Sequence, residues 1–88
     1  MRIEVRRSGG FAGISRKAEV DTEERSDAAE WHALADRALA DGEDNPPDGV
    51  PDGYSYALRV DERTVYFADP RLTGDQRDLV GRVLKEGS

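Results

Sequence analysis

The stretch Arg2–Val20 reads RIEVRRSGGFAGISRKAEV. Ile3 and Val5 fall on one side of an extended chain, with Arg2, Glu4 and Arg6 on the other. This alternation has the period of a half-buried strand. From Ile14 the pattern returns, with Ile14, Ala18 and Val20 inward and Ser15, Lys17 and Glu19 outward. Arg16 interrupts the inward set. Between the two runs stand Gly9, Gly10, Phe11, Ala12 and Gly13, and their glycines supply the positive φ of a hairpin loop. A large aromatic ring thus sits on the segment with the least covering chain around it. Phe11 either folds back to cap the core or enters a pocket on a partner, as exposed aromatic anchors do.

Working outward, Asp21–Gly42 (DTEERSDAAEWHALADRALADG) carries Ala28, Trp31, Leu34, Ala35, Ala38 and Leu39 at helical spacing. Ser26 or Asp27 is the expected cap, and Asp27 with Glu30 has capping-box spacing. Gly42 is the expected stop, and Trp31 the core anchor. Asp41–Gly53 (DGEDNPPDGVPDG) then holds three Pro, three Gly and five acids with no basic residue. So long a loop in so short a chain is either functional or a solvated linker. Tyr54, Tyr56, Leu58 and Val60 alternate in the next run, Asp61–Arg63 turns the chain, and Val65 and Phe67 alternate on the return. At the end, Thr73 and Gln76 have capping-box spacing, and Leu79, Val80, Val83 and Leu84 form an apolar stripe. Gly81 is expected to allow close helix packing.

The expected architecture is α+β: a four-stranded antiparallel sheet in ββαββα order with two helices on one face. It comprises one domain over 1–88, with hairpins 2–20 and 54–68, helices at about 26–40 and about 74–86, and the acidic loop 41–53. Strand directions carry a functional implication. The second strand leaves the Gly9–Gly13 end, and the first helix crosses back toward it. The third strand starts there and the fourth ends there. Gly9–Gly13, Asp41–Gly53 and Asp69–Thr73 should therefore share one rim, where binding residues on rigid scaffolds concentrate.

Composition narrows the function. The 88 residues carry a formal net charge of -6, which disfavours nucleic acid and anionic membrane surfaces, both bound mainly through Lys and Arg. With no Cys and the single His32, the chain has neither a disulfide frame nor a zinc triad of its own. His32 reads as a partly exposed helix residue. Asp41, Glu43 and Asn45 match the first spacings of a calcium loop, but Pro46 stands where that loop needs Gly, and no Glu follows at its twelfth position. The Gly-rich loop lacks the Gly-Lys-Ser/Thr ending of a phosphate loop and leads into a strand. A Ser-His-Asp site has no nucleophile elbow to sit on. The expectation is a non-enzyme without cofactor or metal, monomeric when free. The N-terminus lacks the apolar run of a secretory signal, so a cytoplasmic location is expected.

MRIEVRRSGGFAGI, KAEVDTEE, PDGYSYALRV and TVYFADPRL together resemble the emfourin family, small bacterial inhibitors of protealysin-like metalloproteases of the thermolysin-like group. The resemblance covers both hairpins and both helices. Its most specific part is a strand ending in Ser/Glu-Gly-Gly followed by a large apolar residue and Ala, here Ser8, Gly9, Gly10, Phe11 and Ala12. DGEDNPPDGV is the least family-like segment. The resemblance implies a two-loop inhibitor of a thermolysin-like zinc metalloprotease. One loop, here Gly9, Gly10, Phe11, Ala12 and Gly13, would enter the protease's substrate pockets. The other, here Asp48, Val50 and Asp52, would carry an Asp to the protease's zinc, with Asp52 the first choice and Asp48 the reserve. The family commonly has an aliphatic residue where Phe11 stands.

The chemistry is consistent with this. Catalytic zinc keeps one position for water, and a carboxylate can take it at roughly 2.0–2.2 Å without offering a peptide bond to cleave. A pocket preferring large apolar side chains would accept Phe11, whose full burial contributes about 1.5–3 kcal/mol. The competing expectation is a non-inhibitory interaction module using the same rim.

Overall fold

The computed structural model describes residues 1–9, 15–46 and 53–88. Its elements are β1 (Arg2–Gly9), β2 (Arg16–Asp21), α1 (Ala28–Ala40), β3 (Tyr54–Val60), β4 (Arg63–Ala68) and α2 (Gly74–Glu86). All strand pairs are antiparallel and the sheet order is β2-β1-β3-β4. The expected α+β architecture and ββαββα order are present.

The alternation read in the sequence becomes a set of rows across the inner face. Val20, Ile3 and Val60 form one row, and Ala18, Val5, Leu58 and Val65 the next. These residues are buried under the two helices. Trp31, Leu34, Ala35, Ala38 and Leu39 from α1 meet Leu79, Val80, Val83 and Leu84 from α2 in the same core. Trp31 is fully buried, as its place in the periodicity predicts. The guanidinium carbons of Arg25 and Arg82 lie 5.2 and 5.9 Å from its ring centre, so two cations flank the indole.

The helix ends differ in how they are built. Thr73 and Gln76 form the expected capping box: the Gln76 amide donates to Thr73 Oγ1 at 3.1 Å, and the Thr73 amide donates to Gln76 Oε1 at 3.0 Å. The Gln76 side-chain amide also donates to the Ala38 carbonyl at 3.3 Å, which ties α2 to α1. At α1, Asp27 is the N-cap residue, but its side chain makes no cap bond, so the expected Asp27–Glu30 box does not form. Arg25 has taken the carboxylate instead, with Nε donating to Asp27 Oδ1 at 3.0 Å. A charge-assisted bond outcompetes a neutral amide for the same oxygen. The same guanidinium reaches Glu86 Oε1 at 2.8 Å and so fastens the start of α1 to the end of α2.

Gly42 follows α1, and a Cβ there would collide with the Val65 side chain, so close approach explains this stop. Gly81 does not have the expected packing role: a Cβ there would meet nothing within 4 Å, because its side of α2 faces solvent.

Each sheet edge is paired at one position by chain from outside the strands. Glu43 exchanges backbone bonds with Tyr66 at 2.9 and 2.8 Å along β4, and Ser88 does the same with Glu19 at 3.2 Å along β2. An unpaired edge would be a template for another chain's strand. The outer face is polar, with the cross-strand ion pairs Arg2–Glu19 at 2.7 Å and Lys17–Glu4 at 3.8 Å.

Candidate functional site

At one end of the inner face the apolar rows stop. The next row is Arg16, Arg7, Tyr56 and Phe67, two cations beside two aromatics. Tyr56 stacks on Phe67 with ring centres 5.5 Å apart and closes the core. Burial raises the Tyr56 hydroxyl above its ordinary value, and the negative charge of Asp69 adds to that rise.

Arg16, which broke the inward pattern, has a structural task. Its Nη2 donates to the Leu84 carbonyl at 2.6 Å in the last turn of α2. A cation there satisfies a carbonyl left without an intrahelical partner.

Beyond this row the last residue of β1, Gly9, faces the first residue of β3, Tyr54. Gly9 has φ +90°, and a Cβ there would stand 3.0 Å from the Gly53 carbonyl oxygen. Only glycine meets both demands without strain. The Gly-rich loop and the acidic loop therefore leave from bases in direct contact. The third segment of the rim is bonded to the same point. The Tyr54 amide donates to Asp69 Oδ2 at 3.2 Å, and the Asp69 amide donates to the Tyr54 carbonyl at 2.9 Å. Gly9, Gly53, Tyr54 and Asp69 form one knot, and Arg7 covers the Tyr54 ring with its guanidinium carbon 4.3 Å from the centre.

The expected convergence of loop bases on one rim is thus present at the described ends. The acidic loop starts differently from a free linker, since Glu43 is bound by its backbone to β4. Among the described residues no group of three His, Cys, Asp or Glu is placed to hold a metal ion, and no helix is long and apolar enough to cross a membrane. His32 is half-buried and pairs with Thr22, Nε2 to Oγ1 at 2.9 Å. The Thr22 hydroxyl also lies 3.1 Å from the Met1 carbonyl, which the Thr22 amide reaches at 2.9 Å. Through Thr22, His32 anchors α1 to the N-terminus.

A sequence model of the Emfourin family matches residues 5–84. The chain belongs to the Emfourin family. The match runs through both hairpins and both helices, including every described residue of the rim between Arg7 and Asp69. Comparison with curated proteins and with solved structures gave no match.

Emfourin membership supports a metalloprotease-inhibitor role and with it a protease partner. Of the residues expected to meet that partner, Gly9 lies at the rim. Gly10, Phe11, Ala12, Gly13, Asp48, Val50 and Asp52 lie outside the described residues. Sequence reading missed Arg7, Tyr54 and Asp69 as supports of the rim. Arg7 did leave a signal: it follows Ile3 and Val5 on the inward alternation, where an apolar residue is the rule. Asp69 was placed on the rim by the strand directions, but its bond to Tyr54 left no signal, because it spans 15 positions of sequence.

Proposed function

We propose that this emfourin inhibits a thermolysin-like, protealysin-like zinc metalloprotease by plugging its active site from the loop rim. In this reading Phe11 fills an apolar substrate pocket while Gly9, Gly10, Ala12 and Gly13 let the backbone approach closely. Asp52 ligates the protease's zinc in place of water, with Asp48 as the second choice and Val50 as a neighbouring apolar contact.

The observation that carries this reading is the contact between the two loop bases in a chain of this family. Phe11 is two residues from Gly9, and Asp52 is bonded directly to Gly53. Two residues of extended chain reach at most about 7 Å. An apolar probe and a carboxylate leaving from bonded neighbours are spaced for one cleft, whereas loops at opposite ends would need two.

A peptidase assay tests the proposal. A protealysin-like enzyme, titrated with this chain, should lose activity in proportion to inhibitor added, with an equivalence point at one to one. Undiminished activity in excess inhibitor sinks it and leaves an interaction module as the reading.

A further inference from the structure

Arg7 occupies a position that an apolar side chain would normally take. It follows Ile3 and Val5 on the inner face of β1, and its cross-strand partners are Arg16 and Tyr56. Placing a second cation directly opposite Arg16 is unfavourable in itself. Arg7 has no ion pair among the described residues, and its Nε is buried without a hydrogen-bond partner. A polar atom left in that state is a cost to folding.

What Arg7 does touch is the Tyr54 ring, 4.3 Å from its guanidinium carbon. Tyr54 is the residue through which the rim is joined. It faces Gly9 across the sheet, follows Gly53, and exchanges two bonds with Asp69. Because Gly9 has no side chain, nothing directly opposite holds the Tyr54 ring. Its ring neighbour Tyr56 is 6.4 Å away and tilted by 58°. One side of the ring packs against the core, and the diagonal cation is the contact that covers it from β1.

We propose that Arg7 is a positioning residue of the inhibitory rim: by clamping the Tyr54 ring it holds the bases of both loops, and the Asp69 turn, in one arrangement before a partner arrives. A binding surface ordered in advance loses less freedom on association than one ordered by its partner. The loss of Arg7 should then appear in affinity while Arg7 itself touches nothing on the protease. This inference rests on the inhibitor reading for its consequence, but not for its structural content.

The test combines hydrogen exchange with inhibition for Arg7→Met, Tyr54→Leu, Tyr54→Phe and the Arg7→Met/Tyr54→Leu pair. Met keeps an unbranched apolar stem and removes the cation, and Phe keeps a ring face for the cation. Arg7→Met and Tyr54→Leu should each speed exchange of the Tyr54 and Asp69 amides about tenfold, leaving Leu58 and Val65 unchanged, because a local opening rather than global unfolding is affected. The pair should be no worse than either single change, as residues acting through one contact are not additive. Tyr54→Phe should match the parent. Inhibition constants should rise about tenfold in the same variants.

Unchanged exchange at Tyr54 and Asp69 in Arg7→Met overturns the clamp. If inhibition falls while exchange stays constant, Arg7 is a direct contact and the positioning role is wrong. Effects of the two single changes that simply add also overturn it. Should the parent chain inhibit no thermolysin-like protease, the functional reading fails alone, and the exchange data still decide the clamp. If Arg7→Met is too unstable to measure, Arg7→Gln removes the cation in its place and should show the same faster exchange at Tyr54 and Asp69, while unchanged exchange there overturns the clamp. Arg7→Lys, which retains a cation, should recover most of the protection.

Discussion

Gly9 and Tyr54 face each other at the last rung of the β1–β3 ladder, and the loops that follow one and precede the other start from that rung. The pairing turns two segments separated by most of the first half of the chain into neighbours. It also makes the rim sensitive to changes outside the loops themselves.

Gly9→Ala is the direct probe of this rung. The φ of +90° strains any L side chain, and the new Cβ would press on the Gly53 carbonyl at 3.0 Å. Strain of this kind costs about 1–3 kcal/mol. Chemical denaturation should show a loss in that range, and inhibition should weaken further than stability does, because the displaced carbonyl belongs to the base of the second loop.

The loop residues themselves should behave oppositely. Phe11→Ala and Asp52→Asn should each raise the inhibition constant at least about tenfold, the equivalent of 1.4 kcal/mol of binding. Melting temperatures should stay at the parent value if both side chains serve the partner. A melting temperature that drops for Phe11→Ala means that the ring caps the core. Asp48→Asn is the companion variant, and a loss there in place of Asp52→Asn moves the zinc ligand to the reserve position.

Arg16→Met separates fold support from function on the neighbouring strand. It removes the bond to the Leu84 carbonyl. Hydrogen bonds to charged groups contribute about 1.5–3 kcal/mol, with the lower end expected here because Arg16 is exposed. Thermal unfolding should register this loss, and the inhibition constant should not change.

Acid should loosen the helix-end clasp in a defined direction. The Arg25 hydrogen bond holds the Asp27 carboxyl below its ordinary value of 3.8. A carboxylate with a lowered value in the folded state contributes stability that is complete above its unfolded value and is lost as pH falls through the folded one. The stability difference between parent and Asp27→Asn should therefore be constant near neutrality and shrink below pH 3.8. A difference that stays flat through that range would remove Asp27 from the acid response.

Much of the fold was legible along the chain because it depends on local patterns. The alternation of Ile3 and Val5, the 3.6-residue spacing from Ala28 to Leu39, and the Thr73–Gln76 box each report a local period or contact. The misreadings share a different origin. Asp27 looks like a capping-box partner until Arg25 folds back onto it, and Gly81 looks like a packing site until α2 turns that side to solvent. Arg16 looks like a defect until the end of α2 arrives beside it.

The sequence by itself determined the order of elements, the apolar side of each, and the family to which the motifs point. Those follow from periodicity and from short spacings, which a chain carries before it folds. Only the tertiary structure decided that β1 lies between β2 and β3, that Gly9 abuts Gly53, and that Tyr54 is held by Arg7 on one side and Asp69 on the other. The strand order is a choice among antiparallel pairings that the same alternating faces all satisfy. It is settled by contacts between residues far apart in sequence, so the neighbours it creates at the rim leave no mark in the local pattern.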